Sequence, residues 1–264
     1  MNTASPLDPA HTAMMDAPED EAARLRYYAQ LADGMLYLML EEEAAGGDVR
    51  PVVVDLDEGS VVLAYDTEDR LAAASDGPVP YAELPGRVIA AQLAGQGVAL
   101  GVNLGVGQGE FLVAPDALIW LSQTLSHAPT DVTARPVSFE APRGLPTALL
   151  TALDAKLHRA GGLAQAAFLA AVKYDDGRSG HMLAFIGAAS GAEAALTRAA
   201  SEALTFSGVE AGEMDVTFMA PDAAIAARIA RVGHHFDLPQ PAAVDPVVPG
   251  ARPGMDPTKP PKLR

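Results

Sequence analysis

The chain has no cysteine in its 264 residues, which excludes a disulfide framework, a thiolate nucleophile and a zinc–thiolate site. Lysine is missing until Lys156. Long apolar runs are also missing: the longest largely apolar stretch, Leu163 to Val172, is about half of the roughly 20 residues that span a bilayer. No membrane crossing is expected. Residues 1 to 23 contain neither Lys nor Arg nor an apolar run, so they lack the parts of a secretory signal or transit peptide, and a cytoplasmic location is expected. There is a single tryptophan, Trp120, which is expected to lie in the core.

Positive charge is scarce in the first half. Up to Arg135 there are 21 Asp and Glu against 6 Arg, a net of −15, and the remainder carries 13 acids against 12 bases, which completes the total of −16. Such a surface repels nucleic acid and anionic lipid and offers neither an electrostatic footprint.

The length suits two domains of ordinary size, and the pattern of elements predicts an α+β fold in two small mixed domains. Residues 1–18, polar and proline-containing, read as a disordered lead-in. The first domain spans 19–127. A helix carries Leu25, Tyr28, Ala29 and Ala32 on one face and stops at Gly34. "MLYLMLEEE" reads as a strand, "PVVVDLDEGSVVLAYD" as two strands about the Asp57-Glu58-Gly59 turn, and Thr67 as the cap of a helical turn. A helix from near Pro85 buries Val88, Ile89 and Leu93 and ends at Gly95. "VALGVNL" and "EFLV" read as strands, and a helix from Pro115 turns Leu118, Leu121 and Leu125 inward.

Residues 128–135 read as a linker and 136–239 as the second domain. "PVSFE" is a strand, "LPTALLTALDAKLHRAGG" a helix closed by Gly161 and Gly162, and a further helix is capped at Ser190 and ends at Gly208. Between them, alanine content favours a helix over Leu163 to Val172, whereas the turn residues from Asp175 to Gly180 favour a hairpin, and the turn decides for the hairpin. With "EMDVTFM" as a strand, the order becomes β-α-β-β-α-β followed by a helix and a short strand at "HHFDLP". That order resembles the ferredoxin-like split βαβ arrangement. Residues 240–264 contain seven prolines and read as a disordered tail.

Candidate chemistry centres on "GQGVALGVNLGVGQGEF", which places six glycines in the fifteen residues from Gly95 to Gly109. A dinucleotide fingerprint needs G-x-G-x-x-G. Gly105 and Gly107 would require glycine where Glu110 stands, and Gly95 and Gly97 would require it at Leu100. A P-loop needs a lysine that this half lacks. The glycines therefore read as turns framing a buried strand, with Asn103 as a strand-end turn-former whose amide is the one candidate contact for a ligand or partner.

"DLDEGSVVLAYD" departs from a calcium loop at Ser60 and Asp66. His234 and His235 face opposite ways in an extended segment, leaving His235 with Asp237, too few ligands for a metal. Ser190 lies in no G-x-S-x-G, His181 lacks a recognisable nucleophile, and Glu41, Glu42 and Glu43 read as a solvated strand end. No catalytic residue, metal or cofactor is assigned.

Taken in series, "MLYLMLEEE", "VVLAYDTEDRLAAA", "PYAELPGRVIAAQLAGQGVALGVNLG", "FLVAPDALIWLSQTL" and "SGHMLAFIGAA" resemble the SseB, or enhanced serine sensitivity, protein family over about residues 33 to 237. The first half resembles the family's N-terminal domain and the second its C-terminal domain. The resemblance supports the strand at Leu163 to Val172. Where many members have Asn-Pro-Gly, this chain has Asn103-Leu104-Gly105. The resemblance implies a link to serine metabolism and supplies no catalytic residues.

The expected function is therefore a non-catalytic, cytoplasmic interaction or regulatory protein with a protein or small-molecule partner. The alternative is a sensor that binds an amino acid between the two domains.

Overall fold

The computed structural model describes residues 5–44, 49–57, 59–126, 135–208 and 214–240. The chain is α+β with two sheets, one in each domain. The first domain runs through α1 (Leu7–Asp16), α2 (Glu21–Asp33), β1 (Met35–Met39), β2 (Val53–Leu56) and β3 (Gly59–Tyr65). It continues with α3 (Glu68–Ala73), β4 (Tyr81–Pro85), α4 (Gly86–Leu93), β5 (Ala99–Val102), β6 (Phe111–Val113) and α5 (Pro115–Ser126). Its sheet has the order β4-β1-β3-β5-β6, with β2 also pairing β3. The β3–β5 pair is parallel and the others are antiparallel.

Strand alternation decides which residues meet the helices. Leu36, Leu38, Val62, Ala64, Leu100 and Val102 pack in one cluster with Leu31, Ile89 and Leu118 from α2, α4 and α5. Met39 and Tyr65, which point the other way, pack with Leu71 of α3. Two apolar residues read as buried are more than a third exposed, Val88 at 38 % and Trp120 at 37 %. Each lies at the edge of its helix's buried stripe, where the three-to-four-residue spacing sets the face but not its width.

The segment read as a disordered lead-in forms α1 over Leu7–Asp16. Leu7 and Met14, two turns apart, are buried against the first core, and the Asp8 carboxylate bonds to Arg70, 62 residues further on. The stabilising partner lies far along the chain, so the polar, proline-marked local sequence gives no sign of it.

The second domain comprises β7 (Pro136–Glu140), α6 (Thr147–Arg159), β8 (Ala166–Tyr174), β9 (Ser179–Ile186), α7 (Glu193–Phe206), β10 (Met214–Met219), α8 (Ala224–Val232) and β11 (His234–Phe236). The hairpin reading holds: β8 and β9 pair antiparallel from Ala166↔Ile186 to Lys173↔Ser179. Alternation again divides the sheet. Leu169, Leu183 and Phe185 pack beneath α6 and α7, while Val172, Met182 and Ala184 pack against Ile229 of α8.

The element order is as read, but the sheet is not ferredoxin-like. Its order is β10-β9-β8-β11 with β7 also on β8. A split βαβ unit requires another strand between its parallel pair, whereas β9 and β10 are hydrogen-bonded directly as parallel neighbours. The physical reason is the length of β8, nine residues, whose free edge takes β11 along one half and β7 along the other. A further correction concerns Ser190: α7 begins at Glu193, with Ala192 at the N-cap and no side-chain cap bond. Apart from Arg135 and Gln240, the expected linker at 128–135 and tail at 240–264 lie outside the described residues. No helix among the described residues is long and apolar enough to cross a membrane.

Candidate functional site

The glycine-rich stretch buries one polar side chain, that of Asn103, and leaves Gln108 and Glu110 exposed. Asn103 is fully buried and adopts φ +55°, a left-handed conformation that asparagine tolerates better than most residues. Its Oδ1 accepts from the Asp66 amide at 3.1 Å and its Nδ2 donates to the Gly109 carbonyl at 3.4 Å. The amide that sequence reasoning offered to a ligand is therefore engaged within the chain. Gly107 N–H donates to the Glu110 carboxylate at 2.6 Å, so the chain's own acid occupies the position that an anion would take in a glycine cradle.

Asp66 links this turn to a buried ion cluster. Arg70, 2 % exposed, donates through Nη1 to both Asp66 oxygens at 2.7 and 2.8 Å and through Nη2 to both Asp8 oxygens at 2.8 Å. Burial alone would lower the Arg70 pKa. The bonds and charges of Asp8 and Asp66 outweigh it and raise the value above the ordinary one. The result is a path of contacts from Asn103 through Asp66 and Arg70 to α1.

A second cluster joins the domains. Asp33, at the end of α2, accepts from Arg87 of α4 and from Lys156 and Arg159 of α6, the Lys156 bond being 2.8 Å. Glu202 of α7 accepts two bonds from Arg87, both 3.0 Å, and one from Lys156 at 2.6 Å. Lys156 also lies 5.7 Å from the Phe206 ring centre, and Phe206 belongs to the first domain's core cluster. Its ring packs edge-on to Trp120 with centroids 6.1 Å apart. Burial would raise the pKa of Asp33 and of Glu202, but the surrounding cations prevail and hold both carboxyls below their usual range.

These shifts give a pH dependence with a definite sign. When the native state lowers a carboxylate's pKa, the unfolded chain binds more protons, so stability rises with pH through that window. The contribution is complete above the ordinary carboxylate range, near pH ~4, and is lost as pH falls through the lowered native values. Trp120 fluorescence, which samples the contact with Phe206, is expected to hold steady above about pH 5 and to change below about pH 4. A signal unchanged down to pH 2, with the fold intact, would show that the two carboxylates do not hold the interface.

Beside this cluster a cleft of about 570 Å³ opens between the domains. Pro6, Pro9, Ala10 and Ala13 of the α1 segment line one side, while Arg26, Ala29, Gln30 and Asp33 of α2 lie alongside. Thr147, Ala148, Thr151, Ala152, Ala155 and Arg159 of α6 face them, at the three-and-four spacing of a single helix face. The cleft therefore follows α6 for about 18 Å. Its volume falls within the range of small-molecule sites, about 300–1,000 Å³.

Sequence reasoning missed this site because its bonded charged members are 46 to 126 residues apart along the chain. A local signal existed: Lys156 lies between Leu153 and Leu157 on the buried face of α6, and Glu202 lies between Ala200 and Ala203 on that of α7. Charges in such positions require partners. Of the other residues singled out in the sequence, Glu41 to Glu43 are exposed and His181 lies within β9 opposite Ala171 and Met214. His235 packs on Phe168. None of these lines the cleft.

Residues 11–120 match the family model described as SseB protein N-terminal domain. The match covers most of the first domain and does not extend over the second. No curated protein and no solved structure matches the chain.

Proposed function

We propose that this chain, which carries an SseB N-terminal domain over residues 11–120, is a non-catalytic regulatory protein of the cytoplasm that works by holding a small molecule between its two domains. The supporting observation is the cleft itself, whose walls come from α1 and α2 on one side and from α6 on the other. A ligand there touches both domains and stabilises their closed arrangement, with the neighbouring ion cluster setting how firmly they are joined in its absence. Binding is thereby converted into a change of interdomain stability, which a partner can sense. Amino acids are a narrower form of this reading, and the serine link implied by the family resemblance places L-serine among the compounds to try.

The test is a thermal-shift screen of amino acids, organic acids, sugars and nucleotides at millimolar concentration on the full chain. A ligand at one hundred times its Kd stabilises the native state by ~2.7 kcal/mol, so a true ligand raises the midpoint. Ala155 is an exposed residue of the cleft wall, so Ala155→Trp fills the cleft without disturbing the core. The shift is expected to vanish in that variant. If no compound moves the wild-type midpoint, or if every shift survives in Ala155→Trp, the cleft is not the working part.

A further inference from the structure

The charged groups of the cleft are of unequal availability, and this bears on its ligand. Arg26, Lys156 and Arg159 line it against a single carboxylate, Asp33, in a protein whose net charge is −16. Both Asp33 oxygens are already engaged by cations: Oδ1 accepts from Arg87 and Lys156, and Oδ2 accepts from Arg159. Glu202, behind it, has both oxygens engaged by Arg87 and Lys156. A ligand ammonium entering the cleft would meet two arginines and no unengaged acid among the lining residues.

An anion meets the opposite situation. The Arg26 side chain is 49 % exposed, with Asp20 as a loose partner at 3.6 Å. The Arg159 side chain is 44 % exposed and reaches Asp33 and Gln30 from the cleft's rim. Thr147 and Ala148 add the first turn of α6, the positive end of that helix. Between these points the wall is mainly alanine and proline, with the Phe206 ring, and it offers apolar contact over most of its length. The volume also far exceeds that of one small amino acid, which would leave most of the apolar wall without contacts.

We propose that the cleft takes an amphiphilic organic anion, a single acid group on an extended apolar body, and does not select a free amino acid. The assignment rests on the reading of the cleft as a ligand site. Arg26 and Arg159 supply charge-assisted bonds to the acid, and the alanine-lined wall between α1, α2 and α6 takes the apolar body.

Isothermal titration of the full chain with octanoate, octylammonium and L-serine tests the ligand class. Octanoate is expected to bind at least about tenfold more tightly than either of the others. Arg26→Gln and Arg159→Gln, each at a solvent-exposed position and each leaving Asp33 with Lys156 and Arg87, are expected to weaken octanoate by about tenfold, with unchanged circular dichroism. Ala155→Trp is expected to abolish binding. If octylammonium or L-serine binds as tightly as octanoate and Ala155→Trp removes that binding, the anion assignment falls while the cleft stands. The assignment also falls if octanoate fails while another compound of the metabolite screen binds in the cleft, or if octanoate still binds Ala155→Trp. If neither these three probes nor any compound of that screen binds, both readings fall together.

Discussion

Arg70→Ala is expected to lower the stability of the first domain by about 3–5 kcal/mol, the range for removing one partner of a buried ion pair. The mutation takes away four hydrogen bonds of 2.7 to 2.8 Å and leaves Asp66, whose side chain is 4 % exposed, without its cation. Asp66 also donates its backbone amide to Asn103, so the disturbance reaches the turn after β5. Urea denaturation gives the size of the loss, and hydrogen exchange over residues 7–16 gives its location. Asp8→Asn provides the comparison, because Asp8 is on α1 and its side chain is 14 % exposed. That variant is expected to keep the sheet and to speed exchange in α1. A loss below about 1 kcal/mol in Arg70→Ala, the scale of an exposed pair, would show that the cluster does not hold the helix.

Gly86→Ala is the second large effect, and it arises from packing rather than charge. A Cβ at position 86 would lie 1.9 Å from the Leu31 carbonyl oxygen and 2.9 Å from its carbon. Both are backbone atoms of α2, so relief requires α4 to move away from α2. Gly86 also donates its amide to the Gly34 carbonyl at 2.9 Å, which ties the start of α4 to the end of α2 and limits that movement. The expected loss is about 3 kcal/mol or more, at the upper end of overpacking effects. Because Asp33 and Arg87 flank this contact, the variant should also loosen the interdomain cluster, which Trp120 fluorescence would report. Gly95→Ala makes the contrast: its φ is +80° but a Cβ there meets nothing within 4 Å, so the cost is conformational and near 1 kcal/mol. Equal losses at the two positions would overturn the steric account.

The sequence by itself determined the broad class and most of the elements, though not α1 or the strand β4. Strands such as β1 and β9 alternate in residues that pack on opposite faces, and Thr67 caps α3 by accepting from the Arg70 amide. The hairpin at β8 and β9 was legible despite its alanines, because a dense turn fixes chain reversal locally whereas propensity is a weak preference. The glycine stretch was legible as turns, since Glu110 excludes a phosphate reading by position alone, and in the structure that carboxylate bonds to Gly107.

Only the tertiary structure decided the rest. The helix α1 owes its place to Arg70 and to the core that Leu7 and Met14 enter, the second sheet's order to which edge of β8 each strand reaches, and the burial of Asn103 to Asp66, 37 residues away. The interdomain cluster and its cleft belong to the same group. Local sequence specifies dihedral preference and the direction in which a side chain points. Pairing between charges or strand edges depends on distances that exist only after the chain has closed on itself, and those distances place Asp33 beside Lys156 and set α6 across the cleft from α1.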